Sequence, residues 1–294
     1  MNFLSDNENL VKKASYLRII ARDLAEEMKA GNFRSLYKGQ GMEFSGVRDY
    51  IPGDDIRTLD WNVTARMNRP YVKIYEEERE LQIFLILDVS SSMFLETGNK
   101  RTKYESASEA AALISIAAEL NNCPVGAVFF DGEVFFSCKP ELGRERTMLL
   151  LTRLDRLSEN HSEGSALSNA LNGAGSLLKK RSLVFVISDF KTDDYEKPLI
   201  SLAQKNDVIA LRVHDTFDDE LPSIGTVLFE DAESHKKMML PSSSQSLKKE
   251  WRSYSKALET RWNDCCVKHG ILPVIMDTKK EPFHVLNGIF GAKR

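Results

Sequence analysis

No apolar stretch in this chain approaches the roughly 18 residues that a membrane-spanning helix needs. The longest runs, 83–87 and 183–187, have the length of a strand. The opening residues, MNFLSDNENLVKK, lack the apolar core of a secretion signal, so a soluble, cytoplasmic protein is expected. Cysteine is scarce: Cys123, Cys138, Cys265 and Cys266 are the four in 294 residues. No CxxC pair occurs, and in a cytoplasmic setting the thiols are expected to be reduced. Cys265, Cys266 and His269 can share one helical turn, which suggests a metal site faintly and a helix packing face more simply. A dominant charge is also missing. The 40 basic and 43 acidic residues leave a net charge of −3, with the signs interspersed. That balance argues against a dedicated nucleic-acid or anionic-membrane surface. There is no P-loop, GxSxG or HExxH, and no GxGxxG opens a helix after a strand. The five histidines, at 161, 214, 235, 269 and 284, are scattered, and His161 reads as a surface loop residue.

What is present is ordinary globular composition, 42% apolar and 28% charged, which excludes wholesale disorder. A chain of 294 residues can bury a large core without disulfides or structural metals. Residues 9–30 carry Leu10, Ala14, Leu17, Ala21, Leu24 and Met28, one apolar stripe of an amphipathic helix that stops near Gly31-Asn32. Residues 33–70 are rich in glycine, aromatics and charges of both signs, and predict short strands and turns. From residue 71 onward, strand patterns alternate with helical ones. LQIFLILD, SLVFVISDF and DVIALRVHD read as buried central strands, and Asp131-Gly132 between two β-rich runs predicts a hairpin. A long helix is expected over about 246–269, with Leu247, Trp251, Tyr254, Leu258 and Cys265 on its stripe. SSSQS before it is expected to cap that helix. Strands alternating with helices imply an α/β fold with a mostly parallel sheet and helices on both faces. The expected organisation is an N-terminal helix and β-rich segment over 1–80, a sheet domain over 81–276 and a C-terminal tail over 277–294 packed on it.

In an open α/β sheet, ligands sit at the carboxyl ends of the strands. Two of the expected central strands end in acid-bearing loops, Asp88-Val89-Ser90-Ser91-Ser92 and Ser188-Asp189-Phe190, and Glu163-Gly164-Ser165 opens a helix at the same end. All of these donors are hard oxygens, an inventory that suits Mg²⁺ or Mn²⁺ rather than zinc or copper. Asp88, Ser90 and Ser92 alternate, so a loop leaving a strand can turn all three toward one point. The bland alternative is that Ser90–Ser92 and Ser165 only cap the helices that follow.

Asp88-x-Ser90-x-Ser92, the hydroxyl at Ser165 and Asp189 resemble the metal-ion-dependent adhesion site of von Willebrand factor type A domains. The resemblance covers about 81–276 and implies a Rossmann-like sheet domain. It also implies that the serines ligate a divalent ion directly, that the aspartates act directly or through water, and that one coordination position stays open for a partner's carboxylate. Threonine is usual in that family where this chain has Ser165.

The stretch before it is similar to the bacterial family called domain of unknown function fifty-eight. The residues that carry this are Gly39, Gly41, Glu43, Phe44, Arg48, Tyr50, Gly53, Asp54, Asp55, Arg57, Asp60, Trp61, Ala65, Arg66, Glu78 and Arg79. This resemblance implies a non-enzymatic adaptor that partners a MoxR-type AAA+ ATPase in the assembly or maturation of other proteins. From charge alone, Arg48, Arg57 and Arg66 among Asp49, Asp54, Asp55 and Asp60 suggest an ion-pair network that packs the segment around Tyr50 and Trp61. The functional alternative for Arg48, Asp54, Asp55, Arg57, Asp60, Trp61 and Arg66 is a partner-docking surface. Two rival functions remain. One is a Mg²⁺-dependent phosphohydrolase using Asp88, although Ser90 stands where such enzymes place a second aspartate. The other is nucleic-acid binding through Arg48, Arg57, Trp61 and Arg66, opposed by the acids among them.

Overall fold

The computed structural model describes residues 3–29, 43–76, 81–95, 101–155, 164–230 and 237–291. In chain order they form α1 (Phe3–Lys29), β1 (Glu43–Asp49), α2 (Trp61–Met67), β2 (Tyr71–Glu76), β3 (Ile83–Asp88), α3 (Lys103–Leu120), β4 (Val125–Phe130), β5 (Val134–Glu141), α4 (Arg144–Asp155), α5 (Leu167–Leu177), β6 (Leu183–Ser188), α6 (Glu196–Lys205), β7 (Asp207–His214), α7 (Thr216–Asp219), β8 (Thr226–Glu230), β9 (Lys237–Pro241), α8 (Gln245–Lys268), β10 (Leu272–Asp277) and α9 (Pro282–Gly291). They fall into two compact units, 38–81 and the rest of the chain.

The larger unit is built on a six-stranded sheet in the order β10-β7-β6-β3-β4-β5, parallel except for the edge strand β5. The three strands with the strongest apolar runs lie side by side as β7-β6-β3. Every residue of β3 and β6 is buried, as continuous apolar runs require when helices cover both faces. Phe84, Ile86, Val184 and Val186 face a core closed by α5, α6 and α8. On the opposite face α3 lies against the sheet, and α1, α4 and α9 pack on α3. Of the expected stripe of α1, Leu17, Ala21, Leu24 and Met28 are buried, and the side chains of Leu10 and Ala14 lie outside the described residues. Within the C-terminal tail, Leu286 and Phe290 of α9 are fully buried, and Phe290 meets Phe185 edge-on at 6.2 Å.

Chain order reverses at β3, because β4 lies on one side of it and β6 on the other. That switch point leaves a crevice at the carboxyl ends of β3 and β6. The β4–β5 hairpin forms at Asp131-Gly132, where the Asp131 carboxylate accepts the Glu133 N–H at 3.0 Å. Its register slips opposite Gly126, where β5 carries an extra residue beside Pro140. A Cβ on Gly126 would lie 2.6 Å from Pro140 N and 2.8 Å from Cys138 O, both backbone atoms that cannot swing away. Gly126→Ala is therefore expected to destabilise the protein by about 3 kcal/mol in urea unfolding. A loss below ~0.5 kcal/mol would mean the hairpin opens at no cost.

Two expectations are corrected. The buried face of α8 runs through Ser255, Trp262 and Cys266, while Tyr254 is exposed and Cys265 only half-buried. Ser255 broke the apolar stripe and shifted the expected face, yet its hydroxyl is satisfied by Asp219 at 2.6 Å. Ser244 occupies the N-cap position of α8, but its hydroxyl bonds Ser246 instead of a backbone N–H. The helix α7 spans only four residues, too short to show a helical period in the sequence.

Unit 38–81 pairs β1 with β2 antiparallel and places a 3-10 turn (Ile56–Thr58) and α2 between them. The expected ion-pair network is not formed. Among the described residues of this segment, the ion pair is Arg48 with Asp54, bidentate at 2.7 Å on both nitrogens. Asp55 caps the 3-10 turn and Asp60 caps α2 through Asn62 and Val63. Short acidic side chains at helix starts satisfy free backbone N–H groups, so two of the acids were committed locally. Trp61 is 67% exposed and does not serve as a packing centre.

Candidate metal centre

Asp88 closes β3, and Ser188 closes β6 beside it, since Leu87 and Ile187 are paired in register. Both carboxylate oxygens of Asp88 are engaged: Ser188 Oγ donates to Oδ2 at 2.5 Å and the Ser90 N–H to Oδ1 at 2.9 Å. The chain then makes a 3-10 turn, Ser91–Phe94, with Ser90 at its N-cap but making no side-chain cap bond. Instead, the hydroxyls of Ser90 and Ser92 face each other at 3.2 Å. Ser165 is tethered to the neighbouring strand end, because the Ala166 N–H donates to Asp131 O at 2.6 Å, one residue beyond β4. It does not cap α5, whose N-cap is Ala166 without a side-chain bond. The Ser165 hydroxyl is buried and has no hydrogen-bond partner among the described residues. The capping alternative thus fails for both serine clusters. His161 and Glu163 lie outside the described residues.

Asp189 follows Ser188 and is 3% exposed. Its Oδ1 accepts the Lys191 N–H at 3.2 Å, and its Oδ2 accepts from the Lys103 ammonium at 3.1 Å. Phe190, next in line, holds a left-handed backbone with φ of 54°. That conformation is costly for a bulky side chain. It is retained because the ring is clamped by Tyr195 at 5.4 Å and Trp262 at 5.8 Å, and the Phe190 N–H donates to Ser188 Oγ at 3.0 Å.

The electrostatics separate the two aspartates. Burial first, and then the Asp189 charge, pushes the Asp88 carboxyl up to about 7 against the hydrogen bonds from Ser188 and Ser90. Burial works on Asp189 too, but Lys103 and Lys191 outweigh it and hold that group below the usual carboxylate range. Asp189 is therefore a fixed anion, whereas Asp88 lacks a cation of its own.

The donor set fits a small divalent cation. It offers a carboxylate whose ionised form lacks compensation, two serine oxygens within contact of each other and an orphaned buried hydroxyl. Among the described residues no group of three or more His, Cys, Asp or Glu side chains could hold a metal, so such an ion would depend on hydroxyl oxygens as well. Sequence reasoning brought Asp88, Ser90, Ser92 and Asp189 to one crevice and Ser165 to the adjoining strand end. It named Ser188 in the same loop without giving it a role, and it missed Lys103, Lys191 and Asp218. Lys103 had a readable signal: it follows Thr102 of the Thr102–Glu105 capping box, so a cation sits in the first turn, where the helix dipole disfavours it.

The four cysteines form no disulfide, and no helix among the described residues is long and apolar enough to cross a membrane. An uncharacterised protein of Mycobacterium tuberculosis is 29% identical over 231 residues, 78% of this chain and 73% of that protein. An uncharacterised protein of Mycobacterium bovis matches to the same extent. Among solved structures, an aerotolerance-related membrane protein from Bacteroides fragilis aligns with 63% of this chain and 99% of its own, at 19% identity and a TM-score of 0.42. The SpRpn10 VWA domain aligns with 70% of this chain and 94% of its own, at 13% identity and a TM-score of 0.41. The larger unit carries a mostly parallel α/β sheet. Residues 46–261 match the family described as "Protein of unknown function DUF58", and with that share of its length matched the chain belongs to this family.

Proposed function

We propose that the chain is a non-enzymatic module that binds a protein partner through a divalent cation, Mg²⁺ or Mn²⁺. The observation that carries this reading is the buried Ser165 hydroxyl, which has no partner among the described residues, at the strand end next to Asp88. A buried polar group without a partner costs stability, and a metal ligand is one physical reason to keep one. In this reading Asp88, Ser90, Ser92 and Ser165 supply direct oxygens, and Asp189 contributes its charge nearby. A cation so held keeps a coordination position that a carboxylate of the partner can fill. Asp88 orients the set through its bond to Ser90 N–H, and Ser188 fixes Asp88 in turn.

The partner we propose, on the family resemblance, is a MoxR-type AAA+ ATPase or its client. Unit 38–81 offers a second surface for it, with Ile56 and Trp61 exposed on the same unit as Arg57 and Arg66. The hydrolase alternative draws less support, because Ser90 stands where such enzymes place a second aspartate.

The test is a pull-down with purified ATPase in millimolar Mg²⁺ and in EDTA, repeated with Ser165→Ala. Retention only with Mg²⁺, weakened about 10-fold or more by Ser165→Ala, is the expected result. Equal retention in EDTA would remove the cation from the interaction and leave unit 38–81 as the docking surface.

A further inference from the structure

Lys103 is the first residue of α3, and its side chain is 5% exposed. Its ammonium reaches Asp189 Oδ2 at 3.1 Å and Asp218 Oδ1 at 2.9 Å, on carboxylates that are themselves only 4% and 5% exposed. Lys191, more exposed, donates to the same Asp218 oxygen at 2.5 Å. Asp218 is also tied down from its own element, where its Oδ2 accepts the Asp215 N–H at 2.9 Å. The Lys103 ammonium therefore bridges the loop after β6 to α7. A buried cation is retained at a helix start only when paired anions repay its desolvation. Here the anion it holds includes Asp189, one of the two carboxylates of the candidate centre.

Resting on the metal reading above, we propose that Lys103 is a positioning residue acting as a resident cation of this centre. Its ammonium neutralises Asp189 ahead of any divalent ion, keeps that carboxylate oriented between β6 and α7, and leaves Asp88 as the uncompensated anion. Two consequences follow from charge alone. The loops of the centre stay ordered without metal, because the acid that would repel Asp88 most is already paired. A divalent ion bound there meets a site less negative by one charge, which weakens its binding and raises its demand for a carboxylate from outside the chain.

The experiment measures Mn²⁺ binding by titration calorimetry to the full chain, to Lys103→Met, and to the double variant Lys103→Met/Asp218→Asn. The double variant removes one positive and one negative charge together. The amide oxygen that Asp218→Asn leaves in place would still accept the Asp215 N–H, so this protein keeps its fold even if the single variant does not. Lys103→Met is expected to bind Mn²⁺ at least ~10-fold more tightly than the unaltered chain, with a larger metal-induced rise in melting temperature, and the double variant, whose net charge is unchanged but whose Asp189 is released from Lys103, is expected to bind more tightly by a smaller factor. A purely structural lysine would lower the melting temperature and leave the affinity unchanged or weaker, and that result overturns the proposal. If the unaltered chain binds no Mn²⁺ while the variants do, Lys103 stands as the resident cation and the metal reading of the natural chain falls. If the unaltered chain binds and the variants bind no better, the metal reading stands and the role of Lys103 falls. If none of the three binds, both fall.

Discussion

Asp88→Asn is expected to stabilise the metal-free protein at pH 8 and to abolish any stabilisation by Mg²⁺. The carboxyl of Asp88 is pushed up to about 7, by burial first and by Asp189 second. In the unfolded chain the same group titrates near an ordinary pKa of about 3.9. Between roughly pH 4 and 7 the folded protein thus holds a proton that the unfolded chain has released, so stability falls as pH rises through that window. Above it the full penalty applies, on the order of 4 kcal/mol at 1.36 kcal/mol per tenfold proportion. Asparagine removes the charge and keeps an oxygen for the Ser90 N–H. Its amide faces the Ser188 hydroxyl, which must then accept, at a cost of about 1 kcal/mol. The expected net gain is about 2–3 kcal/mol at pH 8, shrinking to nothing or reversing at pH 4. Saturating Mg²⁺ at a hundred times its dissociation constant would add ~2.7 kcal/mol to the unaltered protein and nothing to the variant. Thermal melts across pH, with and without Mg²⁺, read both effects. A variant less stable than its parent at pH 8 would show that the Asp88 charge is compensated by something in the fold itself.

The parts of the centre that could be read in advance were those fixed by strand ends. A run such as LQIFLILD suits a strand buried on both faces, and as a strand its terminal acid lies at the sheet's carboxyl edge. The same logic placed Asp189 beside it once β3 and β6 were adjacent. What could not be read was which charges meet across long separations. Lys103 is 86 residues from Asp189 and 115 from Asp218 along the chain, and no local pattern reports that closure. Sequence proximity also misled in 38–81, where neighbouring acids and arginines suggested a network while Asp55 and Asp60 went to backbone caps. Local backbone demands took precedence there over charge pairing at an exposed surface, as the small net worth of exposed ion pairs leads one to expect. Trp262 escaped notice for a related reason, since polar neighbours on α8 hid the buried face that it anchors.

Trp262 carries the second large effect, because it joins the core to the strained end of the centre. Its ring is 2% exposed, lies 5.8 Å from Phe190 and receives the Arg212 guanidinium over its face at 5.8 Å. Its indole N–H has no hydrogen-bond partner among the described residues, so the ring's contacts are what justify the residue. Trp262→Ala is expected to cost about 3–5 kcal/mol in urea unfolding, the range for deleting a large buried aromatic. The functional consequence is expected to exceed that of an ordinary cavity. Phe190 keeps its left-handed backbone, φ 54°, only while Tyr195 and Trp262 confine its ring. With one wall gone, the peptide can relax toward an ordinary conformation, and the adjoining Asp189 turns away from Asp88. Mn²⁺ affinity should then fall by about 10-fold or more, whereas Trp262→Phe, which keeps an aromatic wall and discards only the unpartnered N–H, should retain it and lose less than ~1.5 kcal/mol. Calorimetric titration of both variants separates the two roles. If the alanine variant loses stability but binds Mn²⁺ as its parent does, the strain at Phe190 is local, and Lys103 with Lys191 suffices to hold Asp189 in place.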